Sequence, residues 1–180
     1  AKSGYDVVYV ARSDEKVAKV RAALEKSLDR AVSKGKLSED DKATILARVC
    51  GTTAHEDLGR VDIVVEAIVE DLETKKELFR TLDRVCKPGA ILATTTSSLS
   101  IDVLAGETAR PADVIGMHFF NPAPVMKLVE VVSGSATAQD VTDTTVVLCK
   151  AVKKHPVLCG DRAGFIVNFL LFPYLNDAVI

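Results

Sequence analysis

A surplus of positive charge is missing from this 180-residue chain: 23 lysines and arginines face 25 aspartates and glutamates, a net charge of -2. Nothing is left over to neutralise a nucleic-acid backbone or an anionic membrane, so neither is an expected partner. Long apolar runs are missing as well. The stretch from Phe165 to Phe172 is interrupted by Asn168 and closed by Pro173, well short of the roughly 20 residues a membrane span needs. No basic segment followed by an apolar one opens the sequence, so nothing marks export and a cytoplasmic address is expected. Cys50, Cys86, Cys149 and Cys159 form no CxxC pair, and the histidines lack zinc-site spacing, which leaves free thiols and no metal. Only 10 glycines and 6 prolines occur, at boundaries, so no low-complexity linker or repeat is expected. A glycine-rich phosphate loop of the G-x-G-x-x-G type is also absent.

What is there alternates. Apolar runs of strand length follow segments of helical periodicity, the pattern of a layered α/β domain with a mostly parallel sheet. Asp6 to Ala11 reads as a buried strand. Ser13 or Asp14 caps a helix whose Val17, Val20, Leu24, Leu28 and Ala31 face inward together, and Gly35 ends it. Ser38 starts a second helix, with Glu39, Asp40 and Asp41 at its positive end, that runs to about Val49 and forms a hairpin with the first. Val61 to Ala67 is the next strand, and Asp71 opens a helix facing inward through Leu72, Leu78, Leu82 and Val85. Strands at Ala90 to Thr95, Val114 to Phe119 and Lys127 to Val132 follow, with a short helix near Ile101 to Glu107. From Ala138 a helix carrying Val141, Thr145, Leu148 and Val152 leads to a strand at His155 to Cys159. Gly160 to Gly164 then turns into a last apolar helix.

In open α/β sheets ligands bind beyond the carboxyl ends of the strands, so Glu66 to Glu70, Thr95 to Ser98 and His118 to Asn121 are the stretches expected to carry a site. Glu130 stands inside Leu128-Val-Glu-Val-Val132, and a carboxylate among apolar strand neighbours needs a partner. Histidine is the residue type suited to act as a base near neutrality, and His118 is placed for it, although a single histidine at a strand end equally suits a hydrogen-bonded structural role. His55, in a polar loop, and His155, before a proline, suit solvated or capping roles.

Gly116-Met-His-Phe-Phe-Asn-Pro-Ala-Pro124 followed by Lys127-Leu-Val-Glu-Val-Val132 resembles the signature of the 3-hydroxyacyl-CoA dehydrogenases, including bacterial 3-hydroxybutyryl-CoA dehydrogenases. Val65 to Glu70, Thr95 to Leu99 and Asp161 to Asn168 are similar to the same family in the same order. The resemblance implies a Rossmann-like, doubly wound, mostly parallel sheet at residues 1–160. Residues 161–180 would be the linker and first helix of an incomplete helical domain. It also implies a chain cut at both ends, lacking the first strand and the glycine loop, and weakly active or inactive by itself. Further implied are an acyl-CoA substrate, a nicotinamide cofactor, and a homodimer formed through the missing helical domain.

On the same resemblance His118 is the catalytic base and Glu130 its carboxylate partner. Ser97 and Asn168 bind the substrate oxygen, and Asn121, next to Pro122, is a further substrate-side position that suits a structural role at least as well. Ala67, Glu70, Lys75 and Ser97 lie along the nicotinamide side of the cofactor site, although Glu70 and Lys75 equally suit a solvated first turn of a helix. Val10-Ala-Arg-Ser13 departs from the acidic residue with which NAD-preferring folds hold the ribose. Ala11 removes that charge, and Arg12 with Ser13 offers a fork and a hydroxyl to a 2'-phosphate, which favours NADP over NAD; Arg12 also suits a solvated loop. A dehydrogenase of free hydroxy or sugar acids and a non-catalytic protein keeping the fold are the rival readings. The first is opposed by Phe119 to Pro124, and the second by the intact set of His118, Glu130, Ser97 and Asn168.

Overall fold

The structure is a computed structural model that describes residues 1–179. The chain divides into two compact units, Ala1–Gly59 and a second from Arg60 onward. In the first, strand β1 (Val7–Val10) pairs in parallel with β2 (Val49–Thr52). Two helices, α1 (Asp14–Ser33) and α2 (Glu39–Ala47), lie between these strands in sequence and pack on each other as the expected hairpin. Ser13 caps α1 by accepting the Lys16 amide, and Ser38 caps α2 by accepting the Asp41 amide, so both helices start where the serines placed them. Lys42 reaches from α2 to Asp29 of α1.

Three expectations fail in this unit. Strand β1, expected to be buried, is only half-buried at all four residues. The second helix ends at Ala47, not near Val49, because Val49 to Thr52 extends to form β2. Its four residues include Gly51, too short and too weakly apolar a run to read as a strand without its partner. Val20 is exposed rather than inward, and α1 buries no residue fully.

In the second unit five strands stand in the order β3-β4-β5-β6-β7: Ile63–Glu66, Ile91–Thr94, Val114–Phe119, Leu128–Ser133 and His155–Gly160. All neighbours are parallel except β5 and β6. The fold is Rossmann-like α/β with mostly parallel sheets, as the alternation of patterns predicts. Side chains two apart share a face. One face presents Ile91, Ala93, Ile115, Met117, Val129 and Val131 to Val141 and Cys149 of helix α5 (Gln139–Ala151). In α5, Val141 and Thr145 are buried as expected, while Leu148 is only half-buried.

The opposite face meets α3 (Leu72–Val85) and α4 (Ile101–Ala105). A Cβ on Gly116 would come within 2.9 Å of Ile101 and 2.8 Å of Val132, so only glycine lets α4 lie this close to the sheet. Helix α3 buries Lys75, Phe79 and Leu82; Leu72, Leu78 and Val85, expected inside, are half-buried. Arg110 closes the far end of α3, donating to the carbonyl oxygens of Asp83 and Cys86 at 2.9 and 3.1 Å while its Nε meets the Asp83 carboxylate at 3.0 Å. The last helix, α6 (Val167–Asp177), follows a turn in which Gly164 and Phe165 both take positive φ. No described helix is long and apolar enough to cross a membrane. The four cysteines are free thiols.

Candidate active site

His118 and Glu130 are directly opposite one another on the antiparallel pair β5 and β6, on the face that carries α4. Register alone therefore aims both side chains the same way. His118 Nδ1 lies 2.6 Å from Glu130 Oε2, with His118 5% and Glu130 1% exposed. An ionised carboxylate only accepts, so opposite one Nδ1 is the donor, and a neutral imidazole in that tautomer keeps its lone pair on the other ring nitrogen, Nε2. Every fully enclosed polar side-chain atom among the described residues has a hydrogen-bond partner. Phe120 meets the imidazole edge-on at 4.7 Å and Phe165 lies tilted across it at 5.5 Å, which fixes the ring plane without competing for its nitrogens.

Glu130 is satisfied at both oxygens. Oε1 accepts the backbone amides of Ile166 and Val167 at 3.0 and 2.9 Å, at the start of α6. Its charge is felt by Cys159 on β7, whose thiol is pushed up to about 11 by burial and then by Glu130. Asn168, the second residue of α6, is half-buried and shares with Ser97 an open cleft of about 440 Å³ that Gly164, Phe169 and Phe172 also line. Two polar residues expected on the substrate side thus meet in one cleft. Asn121 is exposed in the connection between β5 and β6 and precedes Pro122 through a cis peptide bond. Lys154 holds that connection by donating to the carbonyl oxygens of Ala123 and Met126.

A second buried constellation lies at the carboxyl ends of β3 and β4. Lys75 is fully enclosed, its ammonium 2.7 Å from Glu66 Oε1 and 3.5 Å from Glu70 Oε2. The other oxygen of Glu66 accepts the Thr94 hydroxyl at 2.7 Å. Glu70 in turn accepts the Ser97 amide at 2.9 Å and the Thr96 hydroxyl. Burial pushes the Glu70 carboxyl up, but the Thr96 hydroxyl, the Ser97 amide and the Lys75 ammonium outweigh it and hold its pKa below the ordinary carboxylate value. The solvated first turn that spacing alone allows for Glu70 and Lys75 is not what forms: Lys75 is an internal cation, and Glu70 ties the Ser97 loop to it. Sequence patterning does not single out Glu66, Thr94 and Thr96 for these roles. Glu66 carries a usable signal, since it ends an apolar strand just as Glu130 interrupts one.

Ala67 follows β3 and is exposed, beside this cluster in sequence. In the first unit Ala11 is bonded to β2 through its amide, Arg12 is exposed, and Ser13 spends its hydroxyl as an acceptor in the cap of α1. Each unit by itself offers groups of the kind a nicotinamide dinucleotide needs. In the second unit Glu70 keeps 41% of its side chain exposed, with Oε1 accepting from Thr96 and Ser97 and Oε2 lying 3.5 Å from the Lys75 ammonium; in the first, Arg12 is exposed.

Residues 1–162 match the family model described as 3-hydroxyacyl-CoA dehydrogenase, NAD binding domain. A 3-hydroxybutyryl-CoA dehydrogenase from Clostridioides difficile is 48% identical over 179 residues, covering 99% of this chain and 64% of the relative. The human mitochondrial hydroxyacyl-coenzyme A dehydrogenase is 44% identical over 186 residues, covering 99% of this chain and 59% of the relative. Among solved structures, (S)-3-hydroxybutyryl-CoA dehydrogenase from Ralstonia eutropha superposes with a TM-score of 0.95 at 42% identity, over 98% of this chain and 62% of that one. The chain therefore spans less than two thirds of these relatives' length. With the match running through both units and across the His118–Glu130 strands, the chain belongs to the 3-hydroxyacyl-CoA dehydrogenase family, of which it carries the NAD-binding domain.

Proposed function

We propose that the chain provides the proton-transfer and cofactor-binding half of an oxidoreductase that interconverts a 3-hydroxyacyl-CoA and a 3-oxoacyl-CoA, of short chain such as 3-hydroxybutyryl-CoA and acetoacetyl-CoA. The observation that carries the reading is the 2.6 Å contact of His118 Nδ1 with Glu130, which supports Nδ1 as the donor to the carboxylate and Nε2 as the nitrogen that meets a substrate hydroxyl. A bound nicotinamide supplies the hydride acceptor or donor. In the oxidative direction His118 Nε2 takes the hydroxyl proton, and Glu130 stabilises the imidazolium that results. Ser97 and Asn168, which share a cleft, donate to the oxygen as negative charge develops on it. Phe169 and Phe172 line the same cleft with apolar surface.

Glu70 is the residue for the nicotinamide-side ribose, and Lys75 acts through it, since an ammonium enclosed by Glu66 orients Glu70 and has no surface to offer a ligand. Ala11, Arg12 and Ser13 favour NADP: an alanine ends the strand where an acidic group would repel a phosphate, and the Arg12 guanidinium is exposed. An NADPH enzyme of this kind works chiefly as a 3-oxoacyl-CoA reductase. Residues 1–160 form the dinucleotide-binding part, and from Asp161 the chain enters a helical part, in keeping with the apolar residues Leu170, Phe172 and Tyr174 exposed on α6.

The test is the loss of reduced-nicotinamide absorbance when the full-length protein meets acetoacetyl-CoA, with NADPH and with NADH under identical conditions. Faster oxidation of NADPH is the expected result. A clear NADH preference would keep the enzyme and discard the role of Ala11 and Arg12. Turnover of free hydroxy acids in place of thioesters, or of nothing at all by folded protein, would contradict the reading.

A further inference from the structure

We propose that Glu130 also acts as a fastening, its outer carboxylate oxygen holding the start of α6, and with it Asn168, in place. The first amides of any helix lack partners within the helix, and a negative charge is favoured at that end by the aligned peptide dipoles. In α6 the capping position is Ile166, whose side chain has no oxygen to offer, and no side chain of the turn itself takes the role. Glu130 takes it from a strand 36 residues away, accepting the amides of Ile166 and Val167 at 3.0 and 2.9 Å through Oε1.

The same carboxylate holds His118 through Oε2 at 2.6 Å. One group with both oxygens spent thus fixes two things: the tautomer of the imidazole and the origin of the helix on which Asn168 is the second residue. The turn leading into that helix has a second anchor of the same chemistry. Asp161 Oδ2 accepts the Ser100 hydroxyl at 2.6 Å and the Asp102 amide at 3.0 Å. Between the two carboxylates the backbone passes through positive φ at Gly164 (77°) and Phe165 (51°), and Phe165 is laid against the His118 ring. A backbone so bent needs its ends held. The segment is a strap tied at both ends, and Glu130 ties the end that matters to the site. Asn168 as a substrate ligand rests on the function proposed above; the fastening itself does not.

Glu130→Gln and Glu130→Ala, compared with wild type by residue-resolved amide exchange and by the nitrogen shifts of His118, decide the matter without substrate. In Glu130→Ala the Ile166 and Val167 amides are expected to exchange roughly tenfold faster or more, as charge-assisted hydrogen bonds are lost. Glutamine has one oxygen for two jobs. If it serves the amides, their exchange rises less than in Glu130→Ala and His118 moves its proton to Nε2; if it serves the ring, the tautomer is kept and the amides open. Either result supports the fastening. Unchanged exchange together with an unchanged tautomer would overturn it, because a single amide oxygen cannot do both. So would unchanged exchange in a folded Glu130→Ala protein. Loss or persistence of turnover bears on the dehydrogenase reading alone.

Discussion

Two buried pairs of opposite character share one face of the β3–β7 sheet, and they differ in what they leave open. In the Lys75–Glu66 pair every donor and acceptor is turned inward: the ammonium meets two carboxylates, and Glu66 also takes the Thr94 hydroxyl and the Ile68 amide. In the His118–Glu130 pair the carboxylate is just as fully used, but the imidazole offers its second nitrogen to whatever enters. A closed pair can only hold a shape. A pair with one lone pair left over has the means to exchange a proton, and Phe120 and Phe165 pack against the ring that carries it.

Breaking the closed pair from one side has the largest expected effect on stability. Lys75→Met leaves Glu66 buried without its cation and should cost about 3–5 kcal/mol, read as a lower denaturant midpoint with unchanged slope. Adding Glu66→Gln to it, which removes the buried charge and keeps an oxygen for the Ile68 amide or the Thr94 hydroxyl, should return part of that loss. If Lys75→Met proves neutral by itself, the pair is not an internal anchor.

A smaller effect sharpens the same contrast through pH. Because Glu70 titrates below its ordinary value of 4.5, its interactions add stability that is fully present above that pH and is lost as the pH falls through the lower folded value. The difference in stability between wild type and Glu70→Gln should therefore shrink as the pH is lowered from 4.5, and more salt should reduce it, since the side chain is partly exposed. A difference that grows on acidification would contradict the assignment.

What sequence can and cannot say follows from the range of the interactions. Ser13, Ser38 and Asp71 cap helices through bonds to residues three further on, so their roles are readable locally. Glu130 is conspicuous because an uncompensated carboxylate inside an apolar strand is costly, and His118 because the motif around it is specific. The bond from the Ser97 amide to Glu70 spans 27 residues and depends on β3 and β4 being in register, which periodicity does not reveal. Lys75 misleads for a related reason: at the first turn of a helix a lysine looks solvated until the carboxylate beneath it is known. Strand β2 is hard to see because four residues around a glycine carry little pattern without a neighbour.

The central claim is that His118, with Nε2 free and Nδ1 held by Glu130, exchanges the proton of the substrate. The most direct measurement is single-turnover oxidation of reduced nicotinamide by acetoacetyl-CoA in the full-length protein, wild type against His118→Gln, with unfolding curves run in parallel. The account predicts a loss of about 10²–10⁴-fold in rate with the fold retained. A His118→Gln protein that is folded and turns over within a few-fold of wild type would contradict it.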